Sequence, residues 1–343
     1  MVIHLATIYD IAKICGLSPA TVSKALSGAS DVSTATRSRV RETAENLGYV
    51  PDGRAKSLSQ DRSWSIGILC QDVSEMGLRH YLFAGIIESF KSAVERHGYD
   101  ITFISSHVGK MGFSYWGHCR YRKADGVFIV NTNHSSADAQ ELMASNFPKI
   151  AVDYSDSSIG CVMTDCNKSM ELLYGYLHDL GHRNIVYMHG ELNKYITAMR
   201  IKGLKKAMSQ KGETLGANTL IQSKYYSFQG GYASMKQLLE RNNRPTAVIA
   251  SDDYSAVGAI RAAKDFGLSV PGDISIVGFD GIEIAQLMSP MLTTIRQDVY
   301  GMGAKAAESL IKQILGVDKH SKPENIILEP QLLIGNSCIQ IDP

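Results

Sequence analysis

The sequence has 343 residues, 44% of them hydrophobic, which is a globular composition and predicts two or three domains. No run of eighteen apolar residues occurs and no charged leader precedes an apolar core, so we expect neither a membrane span nor a secretory signal, and a cytoplasmic protein. The net charge of +1 at pH 7 does not by itself indicate a nucleic-acid partner, because residues 1–62 carry only two more Lys/Arg than Asp/Glu.

The segment from Thr7 to Gly28 predicts two short helices joined by a tight turn. Thr7 can cap the first helix together with Asp10, and Gly16 can end it in the left-handed conformation. Ser18 is a second N-cap residue, and the proline that follows it suits the first helical position, where its missing N–H needs no partner. The second helix is expected to end near Leu26. This arrangement is typical of a helix-turn-helix.

The outer side of the second helix carries groups that suit DNA. Thr21 and Ser23 offer short hydroxyls to phosphates or base edges. Lys24 can donate to guanine, and Ala20 can touch a thymine methyl group. In DNA-binding helix-turn-helix proteins, the N-terminal residues of this helix enter the major groove. A helical hairpin in an ordinary core has the same local pattern, so the segment alone leaves both interpretations open.

A third helix is predicted after Ser33, ending near Leu47, with Val40, Ala44 and Leu47 directed inward. The segments TIYDIAKICGLSPATVSKALSG, VSTATRSRV and LGYVPDGRAKSL together closely resemble the headpiece and hinge of the lactose repressor (LacI/GalR) family of bacterial regulators. The resemblance covers the headpiece without a gap. It favours the DNA-binding interpretation over the helical hairpin.

The resemblance also implies how the hinge, residues 53–63, contacts DNA. This segment is too short to form a stable helix alone, so we expect a linker that becomes helical only on DNA. In the family the hinge pairs with its dimer mate, and the residue at Leu58 wedges into the minor groove. A plain linker is the alternative. The residues predicted to contact DNA are Thr7, Ile8, Tyr9, Ser18, Pro19, Ala20, Thr21, Ser23, Lys24, Ser33, Thr36, Tyr49, Ala55, Lys56 and Leu58.

From Trp64 onward, short runs rich in Ile and Val alternate with helical patterns. The runs are SIGILC, ITFIS, DGVFIV, KIAV, NIVYMHG, TAVIAS and ISIVGF. This alternation predicts parallel sheets covered on both faces, and the strands are too many for one sheet. The expected fold class is a small all-α helix-turn-helix headpiece plus an α/β core of two doubly wound parallel-sheet subdomains. The resemblance implies that this core is periplasmic-binding-protein-like, of type I.

The predicted domains follow from this alternation and from the resemblance, which implies three crossings between the subdomains. We place the headpiece at residues 1–52, the hinge and linker at 53–63, and the effector-binding and dimerisation core at 64–343. Crossings near 163, 290 and 326 give an N-subdomain of residues 64–163 and 291–325 and a C-subdomain of residues 164–290 and 326–343.

Polar residues follow several predicted strands of the core. Asp252 and Asp253 follow TAVIAS, Asp280 follows ISIVGF, and Arg200 lies beyond NIVYMHG. In open α/β sheets, ligands bind beyond the C-terminal ends of the strands. Carboxylates can accept hydrogen bonds from neighbouring hydroxyls of a sugar, and arginine offers five donors. The alternative is that Asp252 or Asp253 caps a helix and that Arg200 forms a surface ion pair.

Aromatic side chains could complete such a site, since Phe83 and Tyr226 can stack on the apolar face of a sugar. The stretches RIKG, ASDDYSAVGAIRA, VPGDISIVGFD and LTTIRQD match signatures of the same family. The effector contacts that the resemblance implies are Phe83, Lys194, Arg200, Tyr226, Asp252, Asp253 and Asp280.

The chain departs from the family pattern at four places. It has HYLF at 80–83 where the family often has Asn-Pro-aromatic, and residues 111–126 are aromatic and basic where the common pattern is acidic. Ser27 replaces a usual asparagine. Lys24 replaces a common arginine and cannot form the rigid bidentate fork of arginine, so we expect weaker selectivity for guanine.

The sequence therefore predicts a ligand-responsive transcriptional regulator, in particular a repressor, that binds a near-palindromic operator as a homodimer and takes a sugar or sugar derivative as effector. A transport-type solute-binding protein and a sensor of a nucleoside-like effector remain alternatives. An enzyme would need a nucleophile or an acid–base pair, and none is expected. No apolar heptads follow the last predicted strand, so we expect no tetramer-forming zipper.

Neither cysteine nor histidine spacing predicts a metal or a cofactor. The six cysteines have no C-x-x-C pair, so we expect buried, reduced thiols. His178 and His182 are four residues apart, but Gly181 should end their helix between them. Both histidines are therefore interpreted as solvated.

Overall fold

The structure, a computed structural model, describes residues 6–50, 62–71, 77–192, 194–317 and 323–342. The chain divides into two compact units, Met1–Ser63 and Trp64–Pro343, which we call the N-terminal unit and the core unit. The hinge residues Ala55, Lys56 and Leu58 lie outside the described residues, so their contact with DNA stays a prediction.

The N-terminal unit contains the three predicted helices, and local side chains cap each of them. These helices are α1 (Ile8–Cys15), α2 (Pro19–Ser27) and α3 (Thr34–Asn46). Thr7 and Asp10 form a reciprocal capping box, and Gly16 ends α1 with a left-handed φ of 63°. Ser18 caps α2 by accepting a hydrogen bond from the backbone N–H of Thr21. These features confirm the predicted caps.

A small apolar core holds the three helices together. Its buried members are Ile11, Ala12, Cys15, Val22, Ala25, Val32, Val40 and Ala44. The prediction that Leu47 points inward is wrong, because α3 ends at Asn46 and Leu47 is the C-cap residue, 37% exposed. Tyr49 packs against the cluster instead.

The core unit alternates strands with helices along most of its length. Its strands are β1 (Ser65–Cys70), β2 (Asp100–Phe103), β3 (His107–Val108), β4 (Met111–Gly112), β5 (Gly126–Asn131), β6 (Lys149–Val152), β7 (Gly160–Thr164), β8 (Ile185–His189), β9 (Leu220–Gln222), β10 (Ala247–Ile249), β11 (Ser275–Asp280), β12 (Thr293–Arg296), β13 (Asn325–Leu328) and β14 (Gln331–Leu333). Its helices are α4 (Tyr81–Glu95), α5 (Tyr115–Arg122), α6 (Ala137–Ala144), α7 (Cys166–Asp179), α8 (Tyr195–Gln210), α9 (Phe228–Leu239), α10 (Asp253–Asp265), α11 (Glu283–Leu287) and α12 (Val299–Leu315).

The main strands form two six-stranded sheets, which with their helices we call the first and second lobes. The order is β13-β7-β6-β5-β1-β2 in the first sheet and β14-β12-β11-β10-β8-β9 in the second. All pairs are parallel except β12 with β14. Strands such as β6 and β11 are buried throughout, as strands covered on both faces must be. The predicted two-sheet α/β core is confirmed.

Two of the predicted crossings between the lobes are displaced. The segment after residue 290 adds β12 to the second sheet, where Thr293 pairs with Val277. The chain therefore leaves the second lobe only after Arg296, not near 290. The chain then adds β13 to the first sheet, beside β7. It therefore returns to the second lobe only after Leu328, not near 326.

Helices α4 and α12 cover one face of the first sheet. Phe90 of α4 and Met302 and Leu310 of α12 are part of the hydrophobic core on this face. Gly303 allows the close approach, because a Cβ there would lie 2.5 Å from the carbonyl oxygen of Ile86. The other face carries α5 and α6, with Cys119 among the buried side chains. The two lobes thus have the three-layer construction expected of doubly wound sheets.

The interpretation of His182 as solvated is wrong. Its side chain is buried at 1% exposure, and its ring nitrogens lie 3.0 Å from the hydroxyl oxygens of Thr246 and Ser275. Long-range packing of β10 and β11 supplies these partners. His178 is only partly buried.

The six cysteines are free thiols, four of them buried and two, Cys70 and Cys338, partly buried. Burial raises the pKa of the Cys119 and Cys161 thiols to about 12. Among the described residues, every helix is too short or too polar to cross a membrane.

Candidate functional site

Helix α2 presents a polar surface opposite its buried residues Val22 and Ala25. Of the residues predicted to contact DNA, those exposed are Thr7, Tyr9, Ser18, Ala20, Ser23, Lys24 and Ser33, and those partly buried are Ile8, Pro19, Thr21, Thr36 and Tyr49. These residues lie on one short helix and at the starts of three helices. A protein that inserts a helix into the major groove and contacts the flanking phosphates requires this arrangement.

Several of these groups are already held by neighbours within the unit. Ser18 Oγ lies 2.9 Å from Thr21 Oγ1, and Ser33 Oγ caps α3 through the N–H of Thr36. Lys24 forms an ion pair with Asp31, with 2.5 Å between Nζ and Oδ2. This contact holds the pKa of Asp31 below its usual value. Lys24 must leave Asp31 before it can donate to a base.

A second candidate site is the cleft between the two lobes of the core unit. Its lining combines residues after β5 and β6 of the first lobe with residues at the start of α8 and before α9 of the second. The lining includes Phe83, Thr132, His134, Asp153, Tyr154, Lys194, Tyr195, Tyr225 and Tyr226. Three predicted effector contacts, Phe83, Lys194 and Tyr226, are therefore brought together.

Arg200 is buried next to this lining and is not a surface ion pair. It is 2% exposed, and its Nη1 donates to the carbonyl oxygen of Ser251 at 2.7 Å. Its guanidinium carbon lies 3.6 Å from the ring centroid of Phe279 and 5.6 Å from that of Tyr225. Aromatic faces stabilise such a cation away from water. The remaining donors of the guanidinium make Arg200 suited to a ligand with several oxygens.

Asp280 ends β11 with a φ of 116°, a conformation that side chains other than glycine rarely adopt. Its Oδ1 accepts a hydrogen bond from Gln297 Nε2 at 2.7 Å, whereas Oδ2 is buried without a partner among the described residues. Burial and the neighbouring Asp253 and Asp252 raise the pKa of Asp280 well above its usual value. A strained, buried carboxyl group with an unused oxygen is typical of a binding site.

Asp252 is the helix N-cap that the structural alternative predicted, and Asp253 has structural partners of another kind. Asp252 caps α10, and its oxygens accept hydrogen bonds from Ser251, Ser255 and the backbone N–H of Tyr226. It therefore positions Tyr226, whose φ is 55°, and has its own oxygens occupied.

Asp253 accepts hydrogen bonds from Thr294 Oγ1 at 2.6 Å and from the N–H of Ile282 at 2.9 Å. Burial raises its pKa to about 8. Both oxygens are thus occupied, and they link the start of α10 to β12 and to the residue that precedes α11. The structure does not bring Asp253 to the predicted site.

Sequence reasoning missed Asp153, which lines the cleft. It has a φ of 54°, and its Oδ1 has no partner among the described residues. Burial raises the pKa of Asp153 to about 6, although the positive charge of Arg200 acts to lower it. Asp153 directly follows the run KIAV, so the rule that singled out Asp280 after ISIVGF would have found it.

His80 and Gln297 were also missed. His80 is fully buried, and its ring centroid lies 4.3 Å from that of Tyr226 and 5.3 Å from that of Tyr254. Burial lowers the pKa of His80 to about 4, so the imidazole is neutral at physiological pH. Gln297 lies within hydrogen-bonding distance of both Thr164 and Asp280 and so links the lobes.

An exposed helix-turn-helix unit and a two-lobed core with a buried polar cleft define a DNA-binding transcriptional regulator with a ligand-binding core. Two family models match the chain, "Bacterial regulatory proteins, lacI family" at residues 7–52 and "Periplasmic binding protein-like domain" at residues 174–338. The chain belongs to the LacI family of bacterial regulators. It is a transcriptional regulator and not an enzyme.

The similarity to known regulators extends over nearly the whole chain. Over 335 residues it is 31% identical to the HTH-type transcriptional repressor PurR of Proteus mirabilis, covering 96% of each chain. It resembles the lac repressor dimer bound to operator and the anti-inducer ONPF with a TM-score of 0.82 and 27% identity, covering 97% of this chain and 99% of that one. A LacI family regulator from Enterococcus faecium with bound ribose has a TM-score of 0.68 and 25% identity, covering 81% and 99%.

Proposed function

We propose that this regulator is a homodimeric repressor that binds a near-palindromic operator through α2 and binds a small polyhydroxylated effector in the cleft between its lobes. The observation that carries the effector proposal is the set of buried groups around Arg200. Asp280 Oδ2 and Asp153 Oδ1 each lack a hydrogen-bond partner among the described residues. Buried polar atoms without partners cost free energy, and a bound ligand would supply the missing partners.

For the DNA contacts, we assign base reading to Ala20, Thr21, Ser23 and Lys24 on α2. The exposed surface of this helix supports the assignment. Thr7, Ser33 and Thr36 lie at or next to the starts of α1 and α3, where unpaired backbone N–H groups favour phosphates. The hinge contacts of Leu58 and its neighbours are proposed from the sequence resemblance alone.

A sugar or sugar derivative suits the chemistry of the cleft. Arg200 can donate to ring and hydroxyl oxygens, Asp153 and Asp280 can pair with hydroxyls, and Phe83 and Tyr226 offer aromatic surface. The related Enterococcus faecium regulator contains ribose. A nucleoside-like effector is the second candidate, because several aromatic rings converge on the cleft. The rings of Phe83 and Tyr226, for example, lie 5.2 Å apart and come from different lobes.

The effector can control DNA binding only through a difference in affinity between two arrangements of the regulator. The cleft provides such a difference, because its contacts come from both lobes. His80 and Phe83 of the first lobe pack against Tyr226 of the second. Gln297 reaches Thr164 of the first lobe and Asp280 of the second. An effector bound among these residues would favour one relative position of the lobes.

A second copy of the chain is the partner that we propose for the exposed apolar residues of the core. Leu78 and Tyr81 at the start of α4 are 52% and 46% exposed, and Leu287 of α11 is 76% exposed. Burial of such side chains in a symmetric interface would stabilise a dimer. Sedimentation at micromolar concentration is expected to show a dimer, and a stable tetramer would contradict the proposal.

Thermal unfolding with a panel of pentoses, hexoses, disaccharides and nucleosides tests the effector proposal. A ligand at a hundred times its Kd adds about 2.7 kcal/mol to stability. The shift should be absent in Arg200→Gln and preserved in Lys205→Gln, which changes an exposed cation of the same helix. If neither sugars nor nucleosides shift the unfolding temperature, the proposed effector class is wrong. Selection from random duplexes should separately enrich an inverted repeat.

A further inference from the structure

The last turn of α5 carries a dense group of exposed cations. Arg120 and Arg122 lie in this turn, and Lys123 is the C-cap residue, with a φ of 54°. All three side chains are exposed, and we call them the α5 cation cluster. The cluster belongs to the basic segment 111–126 that departs from the family pattern, and the cleft makes no use of it.

Among the described residues, the α5 cation cluster has no carboxylate partner. None of the ion pairs in the described part of the chain includes Arg120, Arg122 or Lys123. Some other surface cations of the core, such as Lys91 and Arg261, are paired, whereas Lys202, Lys205 and Lys206 of α8 are in none of these ion pairs either. The cluster therefore presents three uncompensated positive charges to solvent.

Arg122 is also poorly satisfied by its own neighbours. Its Nε lies 3.2 Å from Nε2 of His118, while the backbone N–H of Ser105 points to Nδ1 of the same ring at 2.9 Å. Burial and the charge of Arg122 lower the pKa of His118, so the ring is neutral at pH 7. A neutral imidazole accepts at only one nitrogen. One of the two donors therefore lacks an acceptor. The Arg122 side chain is exposed, so it can turn to a different acceptor, whereas the backbone N–H of Ser105 cannot.

The α5 cation cluster lies where the chain enters the core unit. Asp125, two residues after Lys123, accepts a hydrogen bond from the N–H of Trp64 at 2.9 Å. Trp64 is the first residue of the core unit, and the N-terminal unit precedes it. The α5 cation cluster therefore lies at the end of the first lobe to which the chain joins the N-terminal unit.

We propose that the α5 cation cluster binds phosphates of the duplex beside the half-sites and adds sequence-independent affinity. The inference rests on the proposed DNA-binding function. It is favoured by the modest charge of the N-terminal segment, where residues 1–62 have eight Lys/Arg against six Asp/Glu. In that unit, Lys24 is paired with Asp31, and Arg39 donates to the carbonyl oxygen of Cys15. A polyanion is the partner that such an uncompensated cluster fits.

The structural alternative is that the three cations only complement the dipole at the C-terminal end of α5. In that case their removal would change stability and leave DNA binding unaltered. The two roles therefore separate in an experiment that measures both quantities.

The test uses the full-length protein and a mixed-sequence duplex of about 40 base pairs, with affinity measured over a range of salt concentrations. The variant is R120Q/R122Q/K123N, in which asparagine tolerates the left-handed C-cap. The matched control is K202Q/K205Q/K206Q, which removes three exposed lysines from α8 of the second lobe. Thermal unfolding of both variants checks that each is folded.

Each lost phosphate contact should reduce the slope of log K against log salt by about 0.9. For one to three lost contacts per subunit, the slope of the variant should be smaller by about 0.9–2.7 per subunit. Its affinity at low salt should fall about tenfold or more, while the control keeps the wild-type slope. Equal slopes for variant, control and wild type would overturn the inference. If the wild-type protein shows no salt-dependent DNA binding, the proposed function fails instead.

Discussion

The proposed DNA-binding surface and the proposed effector cleft place their polar groups in opposite environments. At and on α2, Ser18 and Lys24 are exposed, and their partners Thr21 and Asp31 are near neighbours in sequence. Behind the cleft lining, Arg200 and Asp280 are 2% and 3% exposed. Their hydrogen-bond partners Ser251 and Gln297 lie on other segments of the chain.

This difference determines how each surface responds to mutation. Exposed charges are screened by water and salt, so each contributes little and the DNA surface should tolerate single changes. Buried charges interact in a low dielectric, so loss of one partner leaves another group without compensation. We therefore expect large, specific effects in the cleft and small, salt-dependent effects on α2.

The largest effect is expected for Arg200→Ala or Asp280→Ala. Each should weaken effector binding by about 2–5 kcal/mol, because a buried charged partner is lost. Operator affinity without effector should be retained. Calorimetric titration with the ligand found by thermal shift measures the loss.

Thr294→Val is the contrasting variant. Thr294 donates to Asp253, whose oxygens do not face the cleft. Its removal should lower the free energy of unfolding by about 1–3 kcal/mol and leave effector affinity unchanged. Equal effector affinities in wild type, Arg200→Ala and Asp280→Ala would remove both residues from the site.

A pH-dependent effect follows from Asp153, whose pKa is raised to about 6 by burial. Above that pH the group is a carboxylate and accepts hydroxyl donors strongly; below it, the group is protonated. Effector affinity should therefore fall as the pH drops from 7 to 5, by at most about tenfold or about 1.4 kcal/mol, because a single proton on this group is linked to binding. Asp153→Asn should abolish this pH dependence, and an unchanged profile in that variant would exclude Asp153.

The same shift has the opposite sign for folding. Because the folded-state pKa of Asp153 lies above its usual value of 3.8, the group contributes stability that is complete below pH 3.8. This contribution is lost as the pH rises through about 6. Asp153→Asn should therefore flatten this part of the stability profile, which denaturant titrations at several pH values would show.

A smaller effect is expected for the N-cap of α2. Ser18→Ala should destabilise the N-terminal unit by about 1 kcal/mol, whereas Ser18→Gly should cost only a few tenths. Amide hydrogen exchange across α2 would measure the local loss. A similar loss in both variants would mean that the hydroxyl of Ser18 does not act as the cap.

The smallest effect is expected for Asp31→Asn, which frees Lys24 from its ion pair. DNA binding should strengthen slightly, because Asp31 no longer competes with DNA for Lys24 and exposed pairs of this kind contribute little. The gain should shrink at high salt, and Lys24→Ala in the same background should remove it. Weaker binding by Asp31→Asn would show that Lys24 does not act on DNA.

The local signals of the sequence were sufficient for the helix starts and for the buried strands, although they failed at the end of α3, where Leu47 is exposed. Thr7 with Asp10, Ser18 with Thr21, and Gly16 all adopt the predicted caps. The runs SIGILC and KIAV coincide with β1 and β6. Helix caps and buried strands are specified by short-range hydrogen bonds and hydrophobicity, which a sequence displays directly.

Only the tertiary structure decided which polar residues face a ligand. Asp252 and Asp253 are adjacent in sequence, yet one holds Tyr226 and the other holds Thr294 and Ile282. Asp153 follows its strand just as Asp280 does, and its position at the cleft became evident only from the fold.

The same holds for His182 and for the lobe crossings. His182 is buried because Thr246, just before β10, and Ser275 of β11 reach it. The crossings depend on which sheet β12 and β13 join. Burial and partner choice are set by contacts between segments far apart in the chain. The order of strands in the two sheets determines those contacts, and no periodicity within one segment contains that order.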